Sequence, residues 1–140
     1  MRAVVIYSRQ GGLRPLAEAV GRGIEKGGWQ VQVVEADPAE TRPLPGGFDL
    51  VCLGSPTLGF FRGHPADDVE PALLRCRHLE GVSAAAFVRP HAFATEGVLR
   101  QVMGLLEKQG AIVQDFAAIR NAAEAEQFGQ RLSRIKKPQI

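Results

Sequence analysis

Two cysteines, one tryptophan and one tyrosine are all that these 140 residues hold of those types. Cys52 sits in an apolar run and Cys76 in a stretch of helical pattern, with neither a paired nor a metal-ligand spacing. A disulfide is therefore not expected, and a reducing, cytoplasmic setting is. Long apolar runs are missing too: stretches such as Val82 to Val88 are far shorter than a bilayer span and are flanked by charge, so no membrane segment is expected. An excess of one charge is also missing. Against 15 acidic residues stand 17 Lys and Arg, a net charge of +2, too small and too dispersed to argue for nucleic acid as a partner. The basic pair Lys136-Lys137 falls at the chain's end; residues 136–140 read as a flexible tail and 1–135 as one domain. His64, His78 and His91 lack ligand spacing, and no metal site is expected.

What is present is ordinary globular composition, 45% apolar and 23% charged, at a length suited to a single core. Ala3 to Tyr7 is a continuous apolar run rich in β-branched residues, with no small-residue cleavage site before Ser8-Arg9-Gln10, and it reads as a first strand rather than a signal peptide. After Gly11-Gly12, apolar residues at Leu13, Leu16, Ala17, Val20 and Ile24 follow a helical period. Pro15 suits the first helical turn and Gly27-Gly28 a helix end. Trp29 to Val34 alternates apolar with polar, as an edge strand with one exposed face does.

A Pro- and Gly-rich loop from Pro38 to Gly47 precedes a third strand, Phe48 to Leu53, which ends at Gly54-Ser55-Pro56-Thr57. A helix resumes between Ala66 and Cys76, and Pro71 draws its start toward that residue. Ser83 to Val88 reads as a fourth strand, Thr95 to Gln109 as a helix capped by Thr95 and closed by Gly110, and Ala111 to Ile119 as a fifth strand. Asn121 and Glu124 make a capping box for a last helix that runs to about Ile135.

Apolar strands alternating with helices predict an α/β three-layer sandwich with a five-stranded parallel sheet. The common order for five such strands is 2-1-3-4-5, which puts a ligand crevice outside the carboxyl ends of strands one and three, where the winding reverses. The loops Ser8 to Leu13 and Ser55 to Pro65 border that crevice. At the first loop, Gly11 and Gly12 permit close backbone approach before a helix N-terminus, Ser8 offers a hydroxyl, and Arg9 and Arg14 lie nearby. Those residues suit an anion such as a phosphate; they equally suit a tight turn that needs glycine for its dihedrals.

Tyr7 to Leu13, with Leu16-Ala17-Glu18-Ala19-Val20 after it, resembles the phosphate loop and first helix of flavodoxins, which carry Tyr-Ser-x-Thr-Gly-Asn-Thr there. Gly54-Ser55-Pro56-Thr57 is similar to that family's second flavin loop, and the likeness in element order covers essentially the whole chain. The resemblance implies the 2-1-3-4-5 sheet and bound FMN used for electron transfer. Carried onto this sequence, the flavin-binding positions are Ser8, Arg9, Gln10, Gly11, Gly12 and Leu13; Ser55, Pro56, Thr57, Leu58, Gly59, Phe60 and Phe61; and Arg89, Pro90, His91 and Phe93.

Gln10 and Leu13 depart from the family pattern, standing where it has threonines whose hydroxyls contact the phosphate. Each lost contact costs on the order of 1–3 kcal/mol, partly offset by Gln10 or by Arg9 and Arg14. Phe60 or Phe61 is expected to stack on the flavin ring, or else to pack beneath its own loop; Arg62 and His64 extend toward solvent. In the third loop Pro90 removes an N–H donor. Arg89 and His91 there bring positive charge, which favours an anionic reduced ring and two-electron chemistry.

Receiver-domain chemistry is excluded because Gly54-Ser55 stands where the phosphorylated Asp belongs. Neither cysteine has an Arg six residues on, as a cysteine phosphatase needs, and no G-x-G-x-x-G follows the first strand. The expected function is an FMN-binding redox protein, an electron carrier or small reductase, working as a monomer or weak dimer with a redox partner protein or a small substrate. A domain that has lost FMN and serves as an accessory module is the alternative, and another anionic small molecule in the same crevice is a third. The slightly basic charge contrasts with acidic electron-carrying flavodoxins and implies either different partners or a role in reductive catalysis.

Overall fold

A computed structural model of the chain describes residues 1–59 and 61–135; Phe60 and the expected tail, Lys136 and Lys137 included, lie outside them. Five strands, β1 (Arg2–Tyr7), β2 (Gln30–Glu35), β3 (Leu50–Pro56), β4 (Ser83–Arg89) and β5 (Ile112–Ala118), alternate with α1 (Arg14–Glu25), α2 (Val69–Leu73), α3 (Thr95–Lys108) and α4 (Ala122–Leu132). The strands form one parallel sheet in the order β2-β1-β3-β4-β5, as expected.

The three central strands are buried nearly throughout, whereas β2 and β5 alternate along their length. That pattern is the one expected of central strands covered on both faces and of edges covered on one. Val4, Ile6, Val51, Leu53, Ala84 and Ala86 face α2 and α3 in one core, and Val5, Cys52, Ala85 and Phe87 face α1 and α4 in the other. Where α1 and α4 cross, a Cβ on Gly23 would collide with the Glu126 carbonyl and one on Gly129 with that of Val20. The two helices therefore touch backbone to backbone. Among the described residues no helix is long and apolar enough to cross a membrane, and no cluster of His, Cys, Asp or Glu could hold a metal ion.

Three local expectations are corrected. β3 does not end at Leu53: Gly54, Ser55 and Pro56 stay in register with Phe87, Val88 and Arg89, because pairing with β4 carries the strand through residues whose local preference is for a turn. α2 is short and begins at Val69, its start drawn toward Pro71 as expected, so that the proline falls inside its first turn. Thr95 does not cap α3. Ala94 holds that place without a side-chain bond, while the Thr95 hydroxyl accepts from the His91 N–H (3.0 Å) and donates to the His91 carbonyl (2.7 Å). At α4, Asn121 Oδ1 accepts from the Glu124 N–H at 2.9 Å as a cap should, but Glu124 Oε1 takes the N–H of Arg120 instead of the cap residue's own.

Candidate functional site

The carboxyl ends of β1, β3 and β4 bring the three predicted loops together at one edge of the sheet. The first starts from a fixed point, where Ser8 is fully buried and its N–H donates to the Gly54 carbonyl at 3.1 Å. Its hydroxyl turns back to accept the Gln10 N–H at 3.0 Å. Gly11 and Gly12 then take consecutive positive φ values of 76° and 62°, a conformation that glycine adopts without steric cost. A Cβ on Gly11 would stand 2.7 Å from Pro56 Cβ, so this loop presses on the second one.

Leu13 is only 1% exposed and belongs to the core beneath α1, with Tyr7, Leu16 and Ala17. The structure thus gives it a packing role, and only its main chain is left to face a ligand. Arg9 lies 3.4 Å from Asp37, and Arg14 lies 3.1 Å from Glu35 and donates to the Tyr7 hydroxyl at 3.3 Å. The Tyr7 contact and then the Glu35 charge raise the already high pKa of Arg14. Both cations that were expected to offset the missing threonines are thus engaged by carboxylates at the end of β2.

The loop's first donor is engaged as well. The N–H of Arg9 donates to Asp68 Oδ2 at 2.9 Å, while Asp68 Oδ1 is buried without a hydrogen-bond partner among the described residues. Sequence reading did not find Asp68. It stands 59 positions from Arg9, in the turn that leads into α2, and only the fold brings the two together.

In the second loop the buried Ser55 hydroxyl donates to the Pro56 carbonyl and accepts from the Ala66 N–H, both at 2.9 Å. Thr57 Oγ1 donates to the Arg89 carbonyl at 2.7 Å, joining this loop to the third. Leu58 and His64 pair through two main-chain bonds of 3.0 and 2.9 Å around Gly59, whose φ is 88°. This small hairpin is held against α3 by Gln101, which donates to the Gly63 carbonyl at 2.9 Å. At its tip Phe61 is 75% exposed, and from the third loop Phe93 is 68% exposed. Their ring centroids are 6.3 Å apart with planes inclined at 41°.

Arg89 crosses the edge in the other direction, donating from Nη1 to the Gly11 carbonyl at 2.6 Å. Beside it opens a cleft of about 560 Å³ lined by Arg89, Pro90, His91, Ala92, Thr95 and Arg120. Arg120, which follows β5, is a second residue the sequence reading missed. The cysteines take no part: burial pushes the Cys76 thiol up to about 11, and burial followed by the charge of Asp115 raises that of Cys52 further.

A flavin's two ends would meet different surroundings here. Phe61 and Phe93, two exposed rings on the second and third loops, would suit its planar ring system. The phosphate end meets Gly11, Gly12 and the start of α1, but with the Arg9 and Gln10 donors already taken, one of them by a carboxylate. Like charges about 4 Å apart near a protein surface repel by about 4 kcal/mol. The residues present therefore fit the ring portion well and the phosphate only in part.

No protein-family model matches the sequence, and no curated protein matches it. Solved structures do. An oxidised flavodoxin from Bacillus cereus superposes with a TM-score of 0.72 at 18% identity, over 97% of this chain and 100% of that one. A flavodoxin from Streptococcus pneumoniae gives 0.70 at 16% identity, over 95% and 98%. The flavodiiron protein of Giardia intestinalis gives 0.68 at 18% identity, over 94% of this chain but only 35% of its own length. With the strand order, the superpositions on the two flavodoxins, which run over nearly the whole of both chains, establish that the chain has the flavodoxin-like fold.

Proposed function

We propose that this chain is a flavin-binding redox protein, with FMN the cofactor to test first. The observation that carries the reading is the pair Phe61 and Phe93, two exposed rings from the second and third loops with centroids 6.3 Å apart. Exposed aromatic faces of this kind favour stacking on a planar ring system such as a flavin's. Support at the level of the fold comes from the oxidised and two-electron reduced flavodoxins and the flavone reductase that share it.

A bound flavin supplies one- and two-electron transfer; the chain's own residues supply the setting. Phe61 and Phe93 would shield a bound ring from water. Thr57 and Arg89 lock the three loops into one rim, and Thr95 holds the main chain at His91. Arg89 and Arg120 bring positive charge to the crevice's third-loop side, which would suit a flavin used for two-electron reduction of a small substrate or for exchange with a protein partner. A cytoplasmic setting belongs to the same reading.

A second reading, a flavin-free accessory domain, is favoured by one observation, the Arg9 donor already satisfied by Asp68. Purified protein separates the two. A yellow preparation, or quenching of FMN fluorescence at micromolar protein, is the expected result; a colourless protein that quenches neither FMN nor riboflavin selects the accessory domain.

A further inference from the structure

Asp68 points to what the crevice selects. Phosphate oxygens can only accept hydrogen bonds from main-chain donors, and the first donor of the loop, the N–H of Arg9, is held at 2.9 Å by a carboxylate that is itself an anion. The other oxygen of the same carboxylate, Oδ1, is buried and lacks a partner among the described residues. A phosphate would compete with that carboxylate for the same donor and meet its like charge there.

The remaining groups of the loop do not reverse this preference. Arg9 and Arg14 are paired with Asp37 and Glu35, the Ser8 hydroxyl is turned to the Gln10 N–H, and the Leu13 side chain is in the core. We infer that Asp68 is the specificity-determining residue of this crevice, its carboxylate holding the Arg9 main-chain donor against a phosphate, so that riboflavin binds about as tightly as FMN. The inference rests on the flavin-binding reading above.

The test is a four-way titration of the full chain, wild type and Asp68→Asn, with riboflavin and with FMN, read by quenching of flavin fluorescence and by calorimetry. Wild-type dissociation constants for the two flavins are expected within about threefold of each other. Asp68→Asn, which keeps the size and removes the charge, is expected to tighten FMN by about tenfold or more, a step of 1.4 kcal/mol, and to leave riboflavin unchanged or weaker. Asp68→Ser, checked for folding by circular dichroism, serves as the second variant and is expected to shift the ratio in the same direction. FMN bound a hundredfold tighter than riboflavin by the wild type, with the ratio unmoved in both variants, overturns the role of Asp68 and leaves the flavin reading standing. Binding of neither flavin by the wild type overturns the flavin reading itself, and the role of Asp68 with it.

Discussion

Arg89 and Gly11 are joined across the sheet edge by a 2.6 Å bond from guanidinium to carbonyl, the one direct side-chain link between the third loop and the first among the described residues. Gly11 carries a positive φ, so its carbonyl is turned out of the direction an extended strand would give it and is presented to β4. Replacing Arg89 with Leu removes the link. A charge-assisted bond contributes about 1.5–3 kcal/mol when buried and less at an exposed position such as this, so a loss of about 1 kcal/mol is expected, close to 4 °C in Tm. The sharper signature is local: amide exchange at Gly11, Gly12 and Leu13 should accelerate while that of the β3 amides does not. Uniform acceleration across the sheet would show that Arg89 supports the fold and not the loop.

Leu13 stands where flavodoxins place a phosphate-binding threonine, and on sequence grounds restoring the threonine should tighten FMN. The structure reverses that expectation. The side chain is 1% exposed within the core beneath α1, so Leu13→Thr removes apolar burial and introduces a hydroxyl among apolar neighbours. A stability loss of about 2–4 kcal/mol is expected from urea denaturation, with no gain in FMN affinity. Tighter FMN with unchanged stability would mean that residue 13 turns toward the ligand.

The architecture was legible because it rests on local periodicity. Continuous apolar runs at Val4 to Tyr7, Leu50 to Leu53 and Ala84 to Val88 belong to central strands, the alternation at Val31 and Val33 to an edge, and strands alternating with helices leave few topologies. The loops were legible in position but not in content. Asp68 against Arg9 is a contact between residues 59 apart in sequence, and no spacing rule reaches that far. Thr95 was misread for the opposite reason: a hydroxyl before a helix usually caps it, but here the turn at His91 competes for the same oxygen and wins both of its hydrogen-bonding roles. Gly54 to Pro56 look like a loop because glycine and proline are strand breakers, yet pairing with β4 carries the strand through them.

Phe61 and Phe93 are exposed, and neither is needed to fill a core. Alanine at either position should change stability by less than about 0.5 kcal/mol. Flavin affinity should fall by about 0.5–1.5 kcal/mol each, roughly two- to tenfold, for riboflavin and FMN alike, since the ring is common to both. A loss confined to FMN would place these rings at the phosphate end instead.

The Cys76 thiol is raised by burial to about 11, against an unfolded value near 8.5. Burial favours the protonated form, so its contribution to stability is fully present below about pH 8.5 and is lost as the pH rises toward 11. Two measurements check this. Labelling by a soluble alkylating agent at pH 7 should be far slower for the folded chain than for the urea-unfolded one, and alkaline unfolding should set in at higher pH when Cys76 is replaced by Ala. Rapid labelling of the native protein at neutral pH would show an accessible thiolate and a different packing of that turn.

Gly54 ties stability to the site. It is paired with Phe87 on β4, and a Cβ at position 54 would run into the ring of that residue, which is fully buried and has nowhere to move. The Gly54 carbonyl also receives the Ser8 N–H at 3.1 Å, the bond that fixes where the first loop begins. Gly54→Ala therefore has two expected consequences: overpacking of about 1–3 kcal/mol, and weaker flavin binding because the first loop is displaced. Shrinking the ring should relieve both. In the double variant Gly54→Ala with Phe87→Leu, the cost of the alanine should fall by at least about 1 kcal/mol relative to its cost beside Phe87, a coupling that a double-mutant cycle reads directly, and flavin affinity should recover in parallel. Additive effects of the two substitutions would mean that the ring does not set the position of β3, and that the start of the first loop is held by some other contact.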